Sequence, residues 1–123
     1  MRGAGKELGR TGEALAASYL ARAGYTIVAR NYRSRLGELD LVAEDDGTIV
    51  FVEVKTRRDG AAVGPFEAVT KAKRRQMARV ALDYLARHGQ GERPMRFDVV
   101  AVTFVGNTPR IELMKNAFAL DEG

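Results

Sequence analysis

Leu8, Leu15, Tyr19 and Ala23 fall on one stripe at helical spacing and Gly24 supplies a stop, so residues 7–23 are expected to form a helix. A β-prone run over 25–30, centred on Ile27 and Val28, gives way to a polar, arginine-rich stretch, 31–37, that reads as a connection. Residues 38–44 and 48–55 have period-two character and are separated by Asp45, Asp46 and Gly47, a strong hairpin signal. Gly60, Gly64 and Pro65 follow soon after Arg57 and Arg58, so 56–68 reads as a mobile loop at a strand exit. A second helix is expected over 70–88, with Met77, Val80, Ala81, Tyr84 and Leu85 on its apolar face and Lys71, Arg75 and Arg79 opposite. The nearly continuous apolar run 97–104 has the character of an interior strand, and 110–114 that of a short final one. The order α-β-β-β-α-β-β predicts an α/β fold with a central mixed sheet flanked by helices. A single domain over 1–123 is expected, with 1–6 and 121–123 flexible.

Composition narrows the chemistry. With 46% hydrophobic residues the 123-residue chain can build one core, and with no cysteine and one histidine it can form neither disulfides nor thiolate or multi-histidine zinc sites. Any metal would be held by carboxylate oxygens. No apolar run approaches the roughly 20 residues a membrane helix needs, and the N-terminus lacks a signal-like apolar segment, so the cytoplasm is the expected location and no membrane partner is expected. The net charge of +4 is unevenly spread: residues 1–35 carry +5, 36–54 carry −6, 55–96 carry +7 and 97–123 carry −2. An acidic block between two basic ones would suit a protein that grips a phosphate backbone and holds a divalent cation against it; an unevenly charged solvated surface is the alternative.

The hairpin register sharpens this picture. A two-residue Asp46-Gly47 turn pairs position i with 93 minus i, so Asp40 is expected opposite Glu53, Glu38 opposite Lys55 and Val42 opposite Phe51, all on one face. Leu39, Leu41, Val50, Val52 and Val54 are expected on the other face, against core. Two carboxylates directly opposite repel each other unless a cation lies between them, and Mg²⁺ is commonly held by one or two carboxylates together with substrate phosphates. Asp40 and Glu53 are therefore candidate ligands for Mg²⁺ or Mn²⁺, and Lys55 could orient or deprotonate an attacking water or stabilise developing charge. Alternatively, they are exposed strand residues in a surface ion-pair cluster.

Asp40, twelve residues, then Glu53-Val54-Lys55, set within Gly37-Glu38-Leu39-Asp40-Leu41-Val42 and Phe51-Val52-Glu53-Val54-Lys55-Thr56-Arg57, resembles the PD-(D/E)XK nuclease signature in its Holliday-junction-resolvase-like form. More closely, residues 9–120 resemble the bacterial YraN family of uncharacterised endonuclease-like proteins, including Gly12-Glu13-Ala14 with Tyr19-Leu20 and the run Arg96-Phe97-Asp98-Val99-Val100-Ala101-Val102. The resemblance implies a restriction-endonuclease-like core, Asp40 and Glu53 as metal ligands, Lys55 as catalytic lysine and Glu13 as an auxiliary catalytic carboxylate. One departure is that Leu39 stands where the wider signature has proline. On its own residues, Glu13 could also be a first-turn acid, with Thr11 as N-cap. Asp98, in an apolar strand, could pair with Arg96 or lie near the site, and reads as structural.

Arg33, Arg35, Arg57, Arg58, Lys71, Lys73, Arg74 and Arg75 are the candidate contacts to a nucleic-acid backbone, with a solvated helix face as the alternative. The expected function is a metal-dependent endonuclease acting on DNA, in a branched or otherwise structured form. With one site per chain, cutting two strands would call for a homodimer. The competing readings are a non-catalytic nucleic-acid-binding or partner-recruiting module on the same fold, and a protein-interaction adaptor.

Overall fold

A computed structural model describes residues 2–120, with side chains from residue 8 onward. The elements are α1 (Arg2–Arg22), β1 (Thr26–Ser34), β2 (Gly37–Asp45), β3 (Thr48–Arg58), α2 (Lys71–Arg87), β4 (Met95–Val105) and β5 (Thr108–Phe118). The five strands form one mixed sheet in sequence order, in which only the β3–β4 pair is parallel, and α2 makes the crossover between them. The expected order and fold class are those observed. The flexibility expected at Met1 and 121–123 lies outside the described residues, as do the side chains of 2–6.

Both faces of the sheet are covered, which is why β3 is continuously apolar from Ile49 to Val52 and β4 from Val99 to Val102. Val42, Ile49, Phe51, Phe97 and Val99 pack under Met77, Val80, Ala81, Tyr84 and Leu85 of α2. Leu41, Ala43, Val50, Val52, Val54, Val100 and Val102 pack under Ala16, Ala17 and Leu20 of α1. Small side chains thus form the deepest contact face of α1, while Leu8, Leu15 and Tyr19 are only partly buried and Ala23 is exposed. Gly12 belongs to that close approach, since a Cβ there would collide with the Thr56 side chain on β3. Because α1 starts at Arg2, Thr11 is inside the helix and is not its N-cap.

The polar stretch expected to connect two strands is instead the second half of β1. This edge strand pairs only with β2 and leaves its polar side chains to solvent, so its composition resembles that of a loop. Only Arg35 and Leu36 lie between β1 and β2. β3 and β5 likewise run further than expected, to Arg58 and Phe118. The Asp46-Gly47 turn is as expected: both residues have positive φ, 49° and 84°, as a type I′ hairpin requires, and Asp45 pairs with Thr48.

The expected ladder between β2 and β3 stops early. Five pairs follow the predicted register from Asp45–Thr48 to Leu41–Val52, and no pair continues beyond. Leu39 joins the α2-side core whereas Leu41 joins the α1-side core, so the alternation of β2 breaks at Asp40 and the expectation that both leucines share a face is corrected. Across β1, Arg30 pairs with Leu41 and Tyr32 with Leu39, and Asn31 between them has a φ of 51°. Ala29 and Tyr32, three residues apart, both pack on the α2 side. A left-handed residue, for which asparagine is well suited, thus turns the edge hairpin at the point where β2 leaves β3.

Candidate functional site

The site lies where these strands part. Freed from the ladder, Asp40 uses its carboxylate in place of a backbone carbonyl: Oδ2 accepts a hydrogen bond of 2.8 Å from the Val54 amide. This anchors Asp40 across the opening and holds its carboxylate near Glu53, whose carboxyl feels its charge. Asp40 and Glu53 therefore meet as expected, but by side-chain reach across separated strands. Glu38 and Lys55 do not face each other, because Glu38 turns outward to Arg33, 3.4 Å away.

Glu53 is only 5% exposed. Burial first, then the nearby carboxylate of Asp40, push the Glu53 carboxyl up to about 8, while Lys73 and Lys55 act in the opposite direction. Two acids thus meet in a buried setting, and Lys73 and Lys55 only partly offset the cost of charge on Glu53. Lys55, half-buried, follows Glu53 by two residues along β3 and contributes positive charge to it. Glu13 reaches the same region from α1, seven residues before Leu20 on the face that packs on the sheet. Burial, Asp40 and Glu38, in that order, raise its carboxyl above the usual range. The sequence stripe drawn through Leu8 and Leu15 misses this face because its contacts are Gly12, Ala16 and Ala17.

The donor set suits a hard divalent ion, which takes oxygen ligands and tolerates two carboxylates if water or phosphate completes its shell. Among the described residues no three His, Asp or Glu side chains are grouped closely enough to hold a metal by themselves. Asp40 and Glu53 are the residues that could hold one, in an arrangement open to additional oxygen ligands.

A groove of about 470 Å³ adjoins the pair, lined by Arg33, Ser34, Gly37, Glu38, Lys73 and Gln76. It shares Arg33 and Ser34 with a second hollow that also includes Tyr32, Arg35 and Arg87. Of the eight sequence candidates for backbone contact, Arg33, Arg35 and Lys73 therefore line this basic track. Lys73 also stands 3.7 Å from Glu53 Oε1, a contact the sequence did not reveal. Arg57 and Arg58 extend β3 beyond Lys55, and Lys71 and Arg75 are exposed on the first turns of α2. Arg74 turns elsewhere, its guanidinium 6.0 Å from the centre of the Phe118 ring. Gln76 and Arg87 were missed, since helical periodicity does not say which neighbouring element a polar face will meet.

A second charged cluster lies on the α1 face. Asp98, fully buried, accepts hydrogen bonds from Tyr25 Oη (2.7 Å), Arg96 Nε (3.0 Å) and the Asn116 amide (3.0 Å). Arg96 Nη2 also donates to Asp45 (2.8 Å) and to Tyr25 Oη (2.8 Å). Asp98 is thus paired with Arg96 as its sequence setting suggested, and the network ties the start of β4 to the end of β2 and the exit of α1.

The family model described as "Uncharacterised protein family UPF0102" matches residues 12–102. A UPF0102 protein of Geobacter metallireducens is 51% identical over 115 residues, covering 94% of each chain. One of Symbiobacterium thermophilum is 51% identical over 114 residues, covering 92% of this chain and 97% of its own. One of Anaeromyxobacter dehalogenans is 50% identical over 111 residues, covering 90% and 83%.

Proposed function

The chain belongs to the uncharacterised protein family UPF0102, and from that footing we propose that it is a divalent-metal-dependent endonuclease that hydrolyses phosphodiester bonds in DNA of branched or otherwise structured form. The observation that carries this reading is the meeting of Asp40, anchored on the Val54 amide, with buried Glu53 at the parting of β2 and β3. A fold gains nothing in stability from two carboxylates driven together in a dry setting, and a divalent cation between them would offset their repulsion. The signature spacing from Asp40 to Glu53 and Lys55, and the basic track beside them, support the same reading.

Asp40 and Glu53 would hold Mg²⁺ or Mn²⁺, which when bound supplies Lewis-acid stabilisation of the phosphate and a more acidic water. The chain's own groups perform the remaining tasks. Lys55 orients the attacking water and offsets charge that builds on the phosphate oxygens. Glu13 accepts a hydrogen bond from water on the α1 side, and Arg33 and Arg35 bind the backbone on either side of the reacting phosphate. Among the described residues no base-reading element accompanies them, so recognition is of backbone and shape. Cutting two strands calls for two copies of the chain related by a two-fold axis.

The ion pair between Lys73 and Glu53 favours a second reading, a non-catalytic nucleic-acid-binding module in which that lysine is the permanent counter-ion. A cleavage panel on branched, flapped, single-stranded and duplex DNA with Mg²⁺ and Mn²⁺ separates the two. The nuclease reading expects turnover by the parent and none by Glu53→Ala or Lys55→Ala, with both variants folded. Equal nicking by parent and variants would reject it, and salt-sensitive binding without turnover would favour the second reading.

A further inference from the structure

Lys73 occupies a position that its own helix does not explain. The first turn of α2 is capped by Thr70, whose Oγ1 accepts from the Lys73 amide at 3.2 Å, and it contains no acidic residue. Cations there oppose the positive end of the helix dipole. What stabilises this ammonium is Glu53, 3.7 Å away, with the two side chains only 26% and 6% exposed. The same lysine lines the groove with Arg33, Ser34 and Gln76, so it stands on the boundary between the carboxylate pair and the backbone track.

We propose that Lys73 is a positioning residue with two places: against Glu53 while no divalent ion is bound, and on a phosphate oxygen of a nucleic-acid strand in the groove once an ion is bound. The inference rests on the reading of Asp40 and Glu53 as a divalent site. An ion at Glu53 repels an ammonium held at the same oxygen, and the four-carbon stem of lysine lets that charge move without the helix moving. The groove then offers it phosphate. Metal loading and backbone grip become linked through one side chain, and by reciprocity each strengthens the other by the same factor.

Calorimetric titration with Mn²⁺, in the absence of nucleic acid, tests this on the parent, Lys73→Met and Lys73→Arg. Lys73→Met is expected to bind Mn²⁺ about fivefold more tightly than the parent, because a competing cation of modest strength has gone, and Lys73→Arg to remain close to the parent. In the parent, acetylation of Lys73 read by peptide mass is expected to rise with Mn²⁺ alone and to fall when a phosphorothioate oligonucleotide is added with it. Unchanged or weaker Mn²⁺ affinity in Lys73→Met, or labelling indifferent to Mn²⁺, overturns the two-place lysine and leaves the carboxylate site intact. Failure of the parent to bind Mn²⁺ overturns both.

Discussion

Glu53 and Asp98 lie on neighbouring strands, and they are the only buried carboxylates among the described residues, yet their surroundings are opposite in kind. Asp98 receives hydrogen bonds from a phenol, a guanidinium and a backbone amide, and Arg96 beside it is itself shared with Asp45. Burial opposes the charge of Arg96, but its bonds to Asp98 and Asp45 more than offset this and raise its pKa above the usual value. Glu53 faces another carboxylate, and the charges on Lys73 and Lys55 do not prevent its pKa from rising. A network that serves the fold satisfies its charges internally. A buried site that sets two acids against each other is suited to receive a cation from outside.

That contrast predicts unequal responses to mutation. The largest concerns Asp98→Ala, which leaves Arg96 and Tyr25 without their shared acceptor and should destabilise the protein by about 3–5 kcal/mol in denaturant unfolding. A loss under 1 kcal/mol would contradict the assignment of that cluster to stability. Gly12→Ala should cost about 1–3 kcal/mol, because the added methyl meets Thr56 and forces α1 off β3. The same shift would carry Glu13 away from Asp40, so the variant should also lose Mn²⁺ affinity.

Glu53→Gln should act in the reverse direction. The folded pKa of Glu53 lies above its unfolded value of about 4.5, so the contribution of this group to stability is fully present below pH 4.5 and is lost as pH rises through about 8. The melting midpoint of the metal-free variant, relative to the parent, should therefore increase progressively over that window, and a pH-independent difference would break the contrast. Arg33→Ala is the smallest case. Its ion pair with Glu38 is well exposed, so stability should change by less than about 0.5 kcal/mol while oligonucleotide affinity falls in a fluorescence-anisotropy titration.

Much of this difference was legible in the sequence. Asp46-Gly47 dictated the turn, and the turn dictated five pairs of the register that brings Asp40 towards Glu53. Apolar periodicity located α2 and the interior strands. The break in β2 was not legible, because it depends on the left-handed conformation of Asn31 on another strand and on a side chain replacing a ladder bond at Val54. The contact face of α1 was hidden because glycine and alanine contribute little to a hydrophobic stripe yet allow the closest packing. Polar residues of β1 read as loop because an edge strand and a loop expose similar side chains. Lys73 was recognisable as a cation, but its partner follows only from the crossover that sets α2 above the end of β3.

The central claim is that the Asp40–Glu53 pair is a divalent-cation site. Crystals of the parent and of Glu53→Gln soaked in Mn²⁺ test it most directly through anomalous difference density. One peak per chain between the two carboxylates in the parent, missing from Glu53→Gln while the Asp98 network is unchanged in both, is the predicted result. A parent structure with the two acids still side by side and no peak between them would contradict it.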